Sequence, residues 1–125
     1  MPKRILLVDD EDDVREVARL SLEVVAGWEV RTASSGTEAL ALAKAEPPDA
    51  ILLDVMMPGV DGVTTAQRLA ADPGTSGIPV LLLTAKAQTA DRRRFEALPI
   101  KGVITKPFDP MQLARQVSQA LGWAV

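Results

Sequence analysis

Short aliphatic runs alternate along this chain with stretches whose apolar residues recur at helical spacing. Runs at 5–8, 50–53 and 79–83 are continuous, the pattern of parallel strands covered on both faces. A shorter run lies at 103–105. Residues 28–32, Trp-Glu-Val-Arg-Thr, alternate apolar and polar, which predicts a half-exposed edge strand. Between the strands the spacing predicts helices. The first covers 11–25, with Val14, Val17, Ala18, Ser21 and Val24 or Val25 at helical spacing, and Gly27 stops it. The second opens at Ser35-Gly-Thr-Glu38, which has capping-box spacing. It carries Ala39, Leu40, Leu42 and Ala43, and Pro47-Pro48 ends it. Pro58-Gly59 and Asp61-Gly62 mark a loop before a helix at about 63–71. A fourth helix is predicted over 89–98, ended by Pro99. The last begins at an Asp109 N-cap with Pro110 in its first turn, and runs to Leu121 before Gly122.

Five strands alternating with five helices predict one α/β domain, doubly wound around a five-stranded parallel sheet, because each crossover is a helix. The amphipathic second strand belongs at an edge, which fits the order 2-1-3-4-5. With 125 residues the chain is expected to form a single domain, its core spanning about 3–121. Hydrophobic residues at 47% and charged residues at 25% support a packed core.

In such a sheet, ligands sit beyond the carboxyl ends of the strands, where strand order reverses. Here that point lies between strands one and three. Strand one is followed by Asp9, Asp10 and Glu11, strand three by Asp54, strand four by Thr84 and Ala85, and strand five by Lys106-Pro107. Composition narrows the chemistry of this rim. The chain has no Cys, so thiol nucleophiles, disulfides and thiolate metal sites are excluded. It has no His, which removes imidazole acid–base catalysis, Ser-His-Asp triads and a phosphohistidine of its own. A net charge of −3 gives no general basic field for nucleic acid.

Three carboxylates within about 5 Å of one another repel by roughly 3 kcal/mol per pair at an effective dielectric near 20. Either some protonate or a cation sits among them. Oxygen ligands without His or Cys select a hard ion, Mg²⁺, Mn²⁺ or Ca²⁺, with Mg²⁺ favoured because it commonly takes one or two carboxylates, waters and a phosphate oxygen. An EF-hand is excluded, since residues 9–13 lack the required Gly and terminal Glu offsets. A cation, the Lys106 ammonium, the Thr84 hydroxyl and the Ala85 amide facing one buried Asp54 would form a receptor for a phosphoryl group carried on that carboxylate.

The segments Leu6-Leu-Val-Asp-Asp-Glu11, Leu52-Leu-Asp-Val-Met-Met-Pro-Gly-Val-Asp-Gly62, Leu83-Thr-Ala85 and Thr105-Lys-Pro-Phe108 resemble the receiver domains of two-component response regulators. The likeness runs from about Lys3 to Leu121 and implies a flavodoxin-like (βα)5 fold of the chemotaxis-receiver kind. It implies phosphorylation of Asp54 by a sensor histidine kinase or histidine phosphotransfer protein. It further implies that Asp10, Asp54 and the Met56 carbonyl ligate Mg²⁺, with Asp9 acting through water. Lys106 would pair with Asp54 or its phosphate, Thr84 would turn to bind the phosphate, and the peptide before Pro107 would be cis. One departure stands out. The family's usual aromatic residue three positions before the lysine is Val103 here, so the hydroxyl–aromatic coupling that the resemblance implies is either lacking or runs through smaller groups. Arg92-Arg-Arg94 falls on the predicted fourth helix, part of the signalling face that the family forms with the fifth strand and last helix.

Simpler roles exist for individual residues. Asp9 or Asp10 alone would serve as an N-cap, Glu11 as a first-turn helix acid, Met56 and Met57 as packing residues, and Trp28 and Trp123 as peripheral packing. No membrane or export signal is evident, so a cytoplasmic protein without membrane insertion is expected. Because the chain stops after its last helix, the expectation is a stand-alone receiver. It would signal to an unidentified downstream protein by contact or pass its phosphoryl group along a relay. Rival expectations are a Mg²⁺-dependent phosphohydrolase and a binding module that keeps only the fold. Met56 stands where the first would need an acid–base group, and no cap insertion is present.

Overall fold

The computed structural model describes residues 2–57, 59–85, 95 and 97–123. Five parallel strands, β1 (Arg4–Val8), β2 (Glu29–Ala33), β3 (Ala50–Asp54), β4 (Val80–Thr84) and β5 (Gly102–Thr105), form one sheet in the order β2-β1-β3-β4-β5. Helices α1 (Asp12–Ala26), α2 (Gly36–Ala45), α3 (Gly62–Ala71) and a C-terminal helix (Leu113–Leu121) connect and cover it. The predicted helix at 89–98, with Arg92 to Arg94, lies outside the described residues except for Phe95, 97 and 98.

Strand side chains divide by parity, as the two-residue period requires. Leu6, Val8, Ile51, Leu53, Val80 and Leu82 join Ala39 and Ala43 of α2, Ala66 and Leu69 of α3, and Phe95 on one face. Ile5, Leu7, Ala50, Leu52, Leu81 and Leu83 meet Ala18 and Leu22 of α1 and Leu113 and Val117 of the C-terminal helix on the other. Each buried Leu or Ile contributes about 1.5–3 kcal/mol from removal of apolar surface. That two-sided cover explains the uninterrupted aliphatic runs. The alternating strand β2 is the edge, as its pattern required.

Three local expectations change. In α1 the buried line is Ala18, Ser21 and Leu22, while Val17 is 45% and Val24 80% exposed. A helix this rich in aliphatic residues offers more than one apolar stripe, and packing on the sheet selects one. The last helix begins at Leu113 with Gln112 as its N-cap. Asp109 instead closes a preceding turn, accepting from the Met111 N–H at 2.9 Å. Asp61, expected only in a loop turn with Gly62, is the N-cap of α3 and accepts from the Thr64 N–H at 2.8 Å. Ser35 caps α2 as expected, accepting from the Glu38 N–H at 3.1 Å. Glu38 reaches back to Ser34.

At the opposite end of the sheet from the acidic rim, Trp28 and Trp123 meet edge to face with centroids 5.4 Å apart, and Lys3 lies 4.7 Å from the Trp123 centroid. These contacts fit the packing role expected of both indoles. Among the described residues, no helix is long and apolar enough to cross a membrane.

Candidate functional site

The carboxyl ends of β1, β3, β4 and β5 converge on one small polar centre. Parallel register aligns them. Val8 pairs with Leu53, Asp54 with Leu83, and Thr84 with Thr105. Asp54 and Thr84 are the last residues of their strands rather than the first residues after them, so both are held by the sheet.

Asp9 leaves β1 fully buried. Its N–H donates to the Ala33 carbonyl at 3.1 Å, and its Oδ1 accepts from the Glu11 N–H at 2.9 Å. Glu11 is the N-cap residue of α1 and makes no side-chain cap bond. Asp10 follows, less buried. Asp9, Asp10 and Asp54 each present an oxygen, and the three oxygens lie within 4.8 Å of one another. Strands one and three therefore bring the expected acids together.

Lys106 crosses to them from the end of β5. Its Nζ lies 2.6 Å from Asp9 Oδ2 and 3.3 Å from Asp54 Oδ1. The Lys106–Pro107 peptide is cis, and the Lys106 N–H donates to the Thr84 carbonyl at 2.8 Å. The Thr84 side chain is buried beside this bond, whereas Ala85 is exposed. Met56 is 59% exposed, and its N–H donates to Asp54 Oδ1 at 3.3 Å.

Burial, followed by the nearby Asp9 charge, pushes the Asp54 carboxyl up to about 6, against the pull of Lys106 and the Met56 N–H. Burial alone would lower the Lys106 ammonium, yet the hydrogen bond and charge of Asp9, with help from Asp54, hold it above its usual range. Three carboxylates against one ammonium leave a formal charge of −2 at the rim.

Two residues, Gly62 and Arg15, take positioning roles that local sequence pattern does not assign. Gly62 has no room for a side chain, since a Cβ there would lie 2.2 Å from the Asp54 carbonyl oxygen and 2.7 Å from Val55 Cα. Its N–H donates to the Val55 carbonyl at 3.0 Å, so the start of α3 presses directly on the strand end bearing Asp54. An Asp-Gly pair before a helical pattern was the available signal. Arg15, on α1, donates from Nη1 to the Asp9 carbonyl at 2.7 Å. No spacing rule marks it. Val103 is 40% exposed on β5, beside an open groove of about 590 Å³ lined by Pro107, Phe108, Gln116 and Ala120.

Comparison with known proteins places this geometry. The chain is 40% identical over 118 residues to the DNA-binding dual master transcriptional regulator RpaA of Synechocystis, a match covering 94% of this chain and 48% of RpaA. The chain thus spans about half the length of that relative. Chemotaxis protein CheY4 of Vibrio cholerae superposes with a TM-score of 0.89 at 30% identity, covering 96% of this chain and 99% of CheY4. The receiver domain of sensor histidine kinase PA1611 from Pseudomonas aeruginosa PAO1, solved with a magnesium ion in its active-site cleft, superposes with a TM-score of 0.86 at 28% identity. That match covers 98% of this chain and 99% of the other. The family model for the response regulator receiver domain matches residues 5–118, and with the order of the strands and the acids at their ends the chain belongs to that family.

Proposed function

We propose that this receiver domain accepts a phosphoryl group on Asp54 from a sensor histidine kinase or a histidine phosphotransfer protein. The observation that carries it is the meeting of Asp9, Asp10 and Asp54 at one point, with Lys106 bonded into the cluster. The donor set suits a hard dication: all ligands are oxygens, and the rim's formal charge of −2 is the one Mg²⁺ would neutralise. Asp10, Asp54 and the Met56 carbonyl would hold the ion directly and Asp9 through water; Mn²⁺ suits the same oxygens. When bound, the ion supplies positive charge at the phosphoryl oxygens during transfer.

Asp54 is oriented by the Lys106 ammonium and the Met56 N–H at its Oδ1. Its carboxylate attacks the phosphorus of a partner's phosphohistidine. The P–N bond breaks, a P–O bond forms, and the departing imidazole nitrogen takes up a proton. Since these 125 residues include no His, the donor imidazole lies outside this receiver domain. Lys106, the Thr84 hydroxyl and the Ala85 amide then receive the added anionic oxygens.

Drawing Thr84 and Lys106 toward the new charge repacks β5 and the groove beside Val103, and so alters the face that a downstream protein reads. With a valine at that position, the change propagates through strand and groove packing rather than through rotation of a large ring. Receiver domains are signalling modules rather than classical enzymes, and sustained turnover of phosphate esters is not expected.

Incubation with Mg²⁺ and a small acyl-phosphate donor tests the proposal. Intact-mass spectrometry should show one added phosphoryl group, absent from Asp54→Asn and from samples in chelator. A wild-type chain that gains none, or an adduct that persists in Asp54→Asn, would overturn it.

A further inference from the structure

The turn that carries Asp9 and Asp10 is gripped from behind by a side chain that binds no carboxylate of the cluster. Arg15 stands early in α1 with its side chain only 19% exposed. One arm of its guanidinium, Nη1, donates to the Asp9 backbone carbonyl at 2.7 Å. The other arm, Nη2, pairs with Asp12 in the first turn of the same helix. A rigid planar fork with both arms engaged locks the loop against the helix, and a bond from a charged donor is stronger than one between neutral groups.

Asp9 is thereby held at four points: its N–H by Ala33, its carbonyl by Arg15, its Oδ1 by Glu11 and its Oδ2 by Lys106. Asp10 differs. Among the described residues its carboxylate has neither hydrogen bond nor ion pair, so its direction follows the backbone of the turn. That backbone is what Arg15 holds.

Charge alone would argue against an arginine here, because a guanidinium close to the cluster repels an incoming dication. Its geometric role and its electrostatic role therefore predict opposite effects of removal. We propose, resting on the metal site described under the proposed function, that Arg15 is a positioning residue. By holding the Asp9 carbonyl it sets the orientation of the Asp9–Asp10 turn, and with it the affinity of the acidic cluster for Mg²⁺.

Isothermal titration of the full chain with MgCl2 tests this, alongside unfolding measured in chelator. Arg15→Ala should weaken the Mg²⁺ Kd about tenfold, the lower part of the range for groups that orient metal ligands. Arg15→Lys keeps the charge and one donor but loses the fork, and should weaken it about threefold. Arg19→Ala is the matched control. It removes the ion pairs to Glu16 and Glu23 on the same helix without touching the turn, and should leave the Kd unchanged. A Kd in Arg15→Ala that is unchanged or tighter would overturn the proposal, even with a loss of stability, since a purely structural or purely electrostatic arginine behaves so. No Mg²⁺ binding by the wild-type chain would overturn the metal site itself, and the role of Arg15 with it.

Discussion

The Lys106 ammonium sits closer to Asp9, at 2.6 Å, than to Asp54, at 3.3 Å, and joins residues 97 positions apart in the chain. Its first partner is thus the fully buried acid, and its second is the acid that carries the proposed chemistry. Removing it leaves the buried carboxylates of Asp9 and Asp54 without their cation. Breaking a buried charged pair costs about 3–5 kcal/mol. Lys106→Met should lose stability of that order in urea unfolding with chelator present. Saturating Mg²⁺ should restore part of the loss by supplying the missing positive charge, and equal losses with and without Mg²⁺ would contradict this account.

Asp54 makes stability depend on pH in a definite direction. Its carboxyl is raised to about 6 in the folded chain, while in the unfolded chain it titrates near its ordinary value of about 3.9. Between these values the folded state binds the proton more tightly. The contribution is fully present below about pH 4 and is lost as pH rises through 6. Lys106, raised above its usual range, keeps its contribution below roughly pH 10 and does not offset this slope. In chelator, the melting temperature of the wild type should therefore fall relative to that of Asp54→Asn between pH 4.5 and pH 7. Calorimetry showing the difference growing in the other direction would refute it.

Gly62 places a hard steric limit behind Asp54. An added Cβ meets backbone on the neighbouring strand end, which cannot swing aside as a side-chain tip can. Gly62→Ala should cost at least about 2 kcal/mol through overpacking and should slow acyl-phosphate labelling of Asp54. Gly77→Ala has open space around its Cβ and no left-handed backbone. It should stay within about 0.5 kcal/mol of wild type. Denaturant midpoints of the two variants measure the contrast.

The two apolar stripes of α1 are separable in the same way. Leu22→Ala empties a fully buried position against the sheet and should cost about 2–5 kcal/mol. Val24→Ala, at a position 80% exposed, should change stability by less than about 0.5 kcal/mol. Equal effects on urea midpoints would show that the helix packs in a different rotation.

Much of this protein is legible from local patterns. Continuous aliphatic runs at 5–8, 50–53 and 79–83 identify strands buried on both faces, and the alternation at 28–32 identifies the edge, because the two-residue period of a strand records which faces are covered. Polar residues directly after those runs mark the rim, since parallel strands share one carboxyl end. Asp9, Asp10, Asp54, Thr84 and Lys106 could thus be gathered before any distance was known.

Only the tertiary structure decided how they meet. The choice of stripe on α1, and so the exposure of Val17 and Val24, depends on how the helix rolls onto the sheet. The preference of Lys106 for Asp9 depends on the register that sets the end of β5 beside β4. The hold of Arg15 on a backbone carbonyl carries no pattern of its own, and the Asp61-Gly62 pair marks a turn without saying that Gly62 presses on Asp54. Periodicity is a property of neighbours along the chain, whereas these contacts are set by the packing of separate elements to within a fraction of an ångström.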